Sequence, residues 1–186
     1  SFSSDVSTVV TTPPGGTPSG GLVPSFGTNG VIQSDPSAGG DVAYAIAIDT
    51  TTMYVIGRDM APGNNQWRIE KRLLSDGSLV ASFGTGGAVT SNPSTGNDTP
   101  RAIALDSSAI YVVGYDQTPG NWQWRIEKRS KHTGLLDGAF GTGGVVTSNP
   151  STGIDFAHAI VLDSIALYVA GYDESPGAGN SQWRVE

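Results

Sequence analysis

Cysteine is absent from the 186 residues, which excludes disulfides and thiolate metal sites and leaves the compartment open. No apolar run comes near the roughly 18 residues that a membrane-spanning helix needs. Basic residues are few: 10 Lys and Arg stand against 17 Asp and Glu, a formal net charge of −7. Without clustered Lys and Arg the chain makes a poor partner for nucleic acid or an anionic membrane. Stretches with helical periodicity are missing. Patterns of nucleophilic catalysis are missing too, both the Ser/His/Asp set and the nucleophile elbow. The two histidines, His132 and His158, have no partner at metal-ligand spacing.

What the chain has is glycine, at 26 residues, with 11 prolines, and a sentence written three times. Phe26-Gly27-Thr28, Phe83-Gly84-Thr85 and Phe140-Gly141-Thr142 stand 57 residues apart. Tyr54, Tyr111 and Tyr168 keep the same step, as do Gly57, Gly114 and Gly171. From Trp67 to Trp124 the step is again 57, and from Trp124 to Trp183 it is 59. The two extra residues fall in Ser175-Pro176-Gly177-Ala178-Gly179-Asn180, turn chemistry that takes up an insertion at the surface. A fixed period of this size means one supersecondary unit repeated in a stack or ring.

The middle unit shows what that element is. Thr99 to Asp106, Ala109 to Gly114, Trp122 to Arg129 and Gly144 to Ser148 are short runs rich in β-branched, aromatic and small residues. Gly, Pro, Asn and Asp separate them, which predicts an antiparallel meander of four strands. Alanines recur in the first strand (Ala43, Ala45, Ala47; Ala102, Ala104; Ala157, Ala159), as the crowded axis of a β-propeller demands. The second strand is apolar on both faces and suits a central position. Four strands per unit of this length is a propeller-type blade.

In order, Phe-Gly-Thr-Gly-Gly-Val-Val-Thr, Asp, Ala-Ile-Ala-Leu-Asp, Tyr-Val-Val-Gly-Tyr, Trp-Arg-Ile-Glu-Lys-Arg and Gly-Leu-Leu-Asp resemble the bacterial delta-60 repeat. The resemblance runs from Leu22 to Glu186. It implies a β-propeller-like repeat in a bacterial, secreted or surface-anchored protein, and it carries over no catalytic residue. Of the Leu-Asp that precedes Phe-Gly in that pattern, Leu136-Asp137 keeps both residues, while Leu22-Val23 and Leu79-Val80 keep only the Leu.

The expected domains are a Ser/Thr/Pro/Gly-rich tail over 1–21 and a three-repeat domain over 22–186, with repeats at 22–78, 79–135 and 136–186. The tail composition and the first residue, Ser1, fit a spacer behind an export signal, so an extracellular or cell-surface location is expected. The repeats are out of phase with the chain. Gly30 to Ser34 is a fourth strand with no blade before it, and Gln182 to Glu186 is a third strand with no fourth after it. The fold class expected is therefore all-β: three four-stranded antiparallel blades, the last completed by an N-terminal strand from the same or another chain. Three closures fit, namely a small ring, a two-chain ring of six blades, or an open filament. Val31, Ile32, Trp183 and Val185 are the assembly candidates. To these the β-branched tail adds Val6, Thr8, Val9 and Val10 as a donor strand.

The recurring polar residues admit scaffold readings beside functional ones. Asp41, Asp98 and Asp155, with Asp49, Asp106 and Asp163, read as turn caps or as a calcium ring, although no Asp-x-Asp-x-Asp-Gly loop is present. The Trp–Arg pairs read as packing or as sugar platforms. Trp122 occurs in one unit only and is the candidate for an exposed ligand contact. Arg68 to Arg72 and Arg125 to Arg129 read as charges on an outer strand face. Arg101 and His158 break the repeat and form no recognisable catalytic set. Asn97-Asp98-Thr99 matches a glycosylation sequon. The expectation is a non-catalytic structural protein without cofactor or metal, whose partner is itself. A propeller-type module binding a polysaccharide or a protein is the alternative.

Overall fold

The computed structural model describes residues 20–186. The tail candidates Val6, Thr8, Val9 and Val10 lie outside the described residues. Within them are eleven strands and no helix, so no helix is long and apolar enough to cross a membrane. The first sheet holds β1 (Val42–Ile48), β2 (Thr52–Asp59), β3 (Gln66–Leu73) and β4 (Ala88–Ser91). The second holds β5 (Thr99–Leu105), β6 (Ala109–Asp116), β7 (Gln123–Ser130) and β8 (Val145–Ser148). The third holds only β9 (Phe156–Leu162), β10 (Leu167–Asp173) and β11 (Gln182–Val185). In each sheet the strands pair antiparallel in chain order.

Sequence chemistry explains the local pairing. The β1–β2, β5–β6 and β9–β10 turns are each held by one aspartate. Asp49 accepts from the Thr52 amide at 3.0 Å and its hydroxyl at 2.8 Å, Asp106 from the Ala109 amide at 2.6 Å, and Asp163 from the Ala166 amide at 2.7 Å. The tyrosine of each following strand reaches back to the same carboxylate, at 3.5, 2.9 and 3.0 Å. A second set clamps the entry to each sheet: Ser37, Ser94 and Ser151 donate through Oγ to Asp41, Asp98 and Asp155 at 2.7, 2.6 and 2.6 Å. All six carboxylates thus have turn-clamping work, and the described residues contain no cluster of three metal-binding side chains.

The sheets lie in series. β1 and β2 pack on β5, and β5 and β6 pack on β9, while no comparable packing joins the first sheet to the third. Two cores fill the gaps. Tyr54, Ile56, Trp67, Ile69 and Phe83 meet Ile110 and Val112 in one; Trp124, Ile126 and Val113 meet Ala157, Ile160 and Val169 in the other. A T-shaped Tyr54–Phe83 pair at 6.0 Å in the first unit recurs as Tyr111–Phe140 at 6.0 Å in the second. Glycine is needed in the Phe-Gly-Thr turn, where Gly84 and Gly141 sit at φ 55° and 54° and a Cβ would strike the carbonyls of Ala88 and Val145.

One of the two ways left open for completing the last sheet is not seen, and one expectation meets a different outcome. The third sheet is not completed by this chain's own 30–34 segment. That segment forms no strand, and Ser34 donates to Glu70 of β3 at 2.8 Å, at the opposite end of the series from β11. The charges of β3 and β7 are not an outer, solvated face either. Glu70 and Glu127 are 5% and 0% exposed, and Arg72 and Arg129 are buried with them. A polar strand face can be buried here because the neighbouring unit presents a serine to it and the strand supplies its own countercharges.

Candidate assembly faces at the two ends

The polar face of each third strand is built the same way. Glu127 accepts from Arg125 and Arg129, both at 2.8 Å, and from Ser91 of the preceding sheet at 2.6 Å. Glu70 accepts from Arg68 at 2.7 Å, Arg72 at 2.8 Å and Ser34 at 2.8 Å. Burial pushes the Glu127 carboxyl up, but Arg129 and Arg125 outweigh it and hold the group below its ordinary value. Glu70 is held down in the same way, by Arg68, Ser34 and Arg72 against burial. Ser34 therefore stands to the first sheet as Ser91 of β4 stands to the second. Thr28 bridges Val31 just as Thr85 bridges Ala88 and Thr142 bridges Val145. Residues 31–34 occupy beside the first sheet the place that β4 occupies beside the second.

The apolar face of the third strand points the other way. Trp67 and Trp124 are fully buried, and their indole N–H groups donate to the carbonyls of Tyr115 and Tyr172 in the following unit, at 3.4 and 3.2 Å. Trp124 lies against Gly171, where a Cβ would come 2.9 Å from the ring. Trp183, at the same position of the third unit, is 97% exposed. Tyr168 and Val185 are exposed with it, and the outer edge of β11 has no strand partner among the described residues.

The first sheet shows the reciprocal surface. Ile160 of the third unit is buried, while Ile46 at the same position in the first is 46% exposed, with Val42 and Ile48 open beside it. Between this face and the 22–36 segment lies an open cavity of about 490 Å³, lined among others by Leu22, Ile32, Ala43, Met53, Gly57 and Arg58. The Arg58 Nε on that wall is buried and has no hydrogen-bond partner among the described residues. One end of the series thus carries an exposed ring and a strand edge with no partner among the described residues, and the other an open hollow beside the 31–34 segment.

Of the assembly candidates among the described residues, Val31 and Ile32 sit at the first end and Trp183 and Val185 at the last, so this chain does not bring the two pairs together. Trp122 is half-buried. It packs edge-on against Tyr115 at 5.1 Å and Phe156 at 5.3 Å, between the second and third sheets, so part of the ring is taken up by packing. Sequence reasoning marked Arg101 and His158 as breaks in the repeat but missed Tyr44 and the grouping of the three. Tyr44, Arg101 and His158 fall where the first strand of each sheet skips one residue of pairing. The Arg101 guanidinium lies 5.0 Å from the Tyr44 ring and donates to the Tyr115 hydroxyl at 2.7 Å, and His158 stacks on Tyr172 at 5.6 Å. Burial and then Arg101 lower the His158 pKa. The 57-residue step among three unlike residues was the available signal.

Compared with known proteins, the chain matches no family model, no curated protein and no solved structure.

Proposed function

We propose that this protein is a non-catalytic structural module that assembles with copies of itself through the two end faces. The carrying observation is the Trp67, Trp124 and Trp183 series: the first two rings are buried against a neighbouring sheet, and the third, on the outer face of the third sheet, is 97% exposed. A surface on one end that fits a different surface on the other makes a heterologous, head-to-tail contact, which closes into a ring or runs on as a filament. Burying a large apolar side chain contributes about 1.5–3 kcal/mol, and each end offers several. The propeller-type reading of the sheets, the resemblance to delta-60 repeats and the Ser/Thr/Pro-rich tail support an extracellular or cell-surface setting. Sedimentation of the full chain over a wide concentration range tests the proposal. The mass should grow with concentration, and a single monomer species throughout would sink it.

A second reading, a binding module for a polysaccharide or protein, draws on Tyr44, Arg101 and His158. These break the repeat at one position and line up along the first strands of the sheets.

A further inference from the structure

Resting on the self-assembly reading, we infer that the joint is a composite sheet of fixed register. Residues 31–34 of a second copy become the fourth strand beside β11, and Trp183 fills the hollow on that copy's first sheet. The chain builds this joint twice internally, so every contact has a template.

In the first and second sheets the third and fourth strands pair Trp67 with Ser91, Arg68 with Thr90, Ile69 with Val89 and Glu70 with Ala88, and then Trp124 with Ser148, Arg125 with Thr147, Ile126 with Val146 and Glu127 with Val145. Carried to the third unit, the same register sets Trp183 opposite the second copy's Ser34, Arg184 opposite Gln33, Val185 opposite Ile32 and Glu186 opposite Val31. The lone segment already has the lead-in turn of a fourth strand and already bonds its own first sheet through Ser34. It lacks only the third strand that β11 supplies. Pairing with β11 satisfies main-chain groups on both edges.

The ring follows from the same template. Trp67 and Trp124 donate to Tyr115 and Tyr172, each 48 residues further along. For Trp183 the matching acceptor is the carbonyl of Arg58 in the second copy. Trp124 rests on Gly171, and the matching glycine, Gly57, lines the hollow. Tyr168, 44% exposed, meets Phe26 of the second copy as Tyr54 meets Phe83. The occupant of the hollow is thus a second copy, because its third unit presents the exposed ring, strand edge and tyrosine that the interior joints use.

Engineered cysteines test the register, since the chain has none of its own. Cross-strand neighbours have Cβ atoms about 4.5–5.5 Å apart, close enough for a disulfide to form with a small backbone adjustment. A mixture of Gln33→Cys chains and Arg184→Cys chains under mild oxidation should give a covalent heterodimer. A mixture of Gln33→Cys and Glu186→Cys chains, two residues out of register, should give at least tenfold less. Trp183→Ala should weaken association at least 100-fold while the monomer stays folded by circular dichroism. If the chains associate but the two mixtures crosslink equally, the register falls and self-assembly stands. If they do not associate, both fall. A disulfide within single chains of the Gln33→Cys, Arg184→Cys double variant, formed at high dilution, would replace the second copy with closure of one chain and overturn the inference.

Discussion

Trp124 and Trp183 hold the same place in the repeat and live in opposite worlds. One has no exposed surface and the other is 97% exposed, though each follows a glutamine and precedes an arginine. The difference lies in the neighbour: a third strand in these sheets is half of a contact, finished by the sheet after it. Position in the series, more than residue identity, decides which side chains are buried in the fold and which stay exposed.

Substituting the two rings separates these roles most sharply. Trp124→Ala should lower the unfolding free energy by about 3–5 kcal/mol, the cost of emptying a well-packed aromatic site. Trp183→Ala should leave the denaturant midpoint of dilute chain unchanged. Equal losses would mean that Trp183 is covered in the monomer.

The glutamates come next. Glu127→Gln leaves the buried Arg129 without its countercharge and Arg125 with Asp116 alone, and should cost about 3 kcal/mol; Glu186→Gln, at the exposed end of the series, should cost little. The pH dependence follows from the sign of the shift. Because the folded state holds Glu127 below its ordinary value, the unfolded chain binds more protons in the acid range. This contribution is complete above the ordinary glutamate value of 4.5 and is lost as pH falls through the lower folded value. Urea titrations at falling pH should show that slope in the parent and a flatter one in Glu127→Gln.

The smallest effect is expected at the serines. Ser91→Ala removes one hydrogen bond to a buried charge, worth about 1.5–3 kcal/mol. Ser148→Ala should cost less, because its partner Glu186 is exposed. Chemical denaturation resolves the pair, and a larger loss at Ser148 would reverse the assignment of interior and end.

Much of the fold was legible. The β-branched and aromatic runs around Tyr54, Tyr111 and Tyr168 became the second strands, and the recurring aspartates became their turn clamps. Two things were hidden for physical reasons. Alternation of Arg and Glu in β3 and β7 reads as a solvated face, because a single strand carries no sign that a neighbour's serine will cover it. The environment of Trp122 depended on Tyr115 and Phe156, which reach it from two sheets and are not neighbours in sequence. The end faces were half legible: the phase offset of the repeats set a third strand at one end and a fourth-strand segment at the other. That they lie at opposite ends depends on the sheets stacking in series, which no local pattern encodes.

The strand order has a consequence for how this chain reaches its structure. Every ladder joins strands that follow one another in sequence, so each sheet can form from short loops at small entropic cost. Stability in such an array is a sum of unit and nearest-neighbour terms. The second sheet, braced on both sides, is then the seed on which its neighbours condense and the last part to melt, while the outer sheets open first. A partner docking at either end, as in the proposed assembly, would protect the outer sheet it covers and so couple association to the completion of folding.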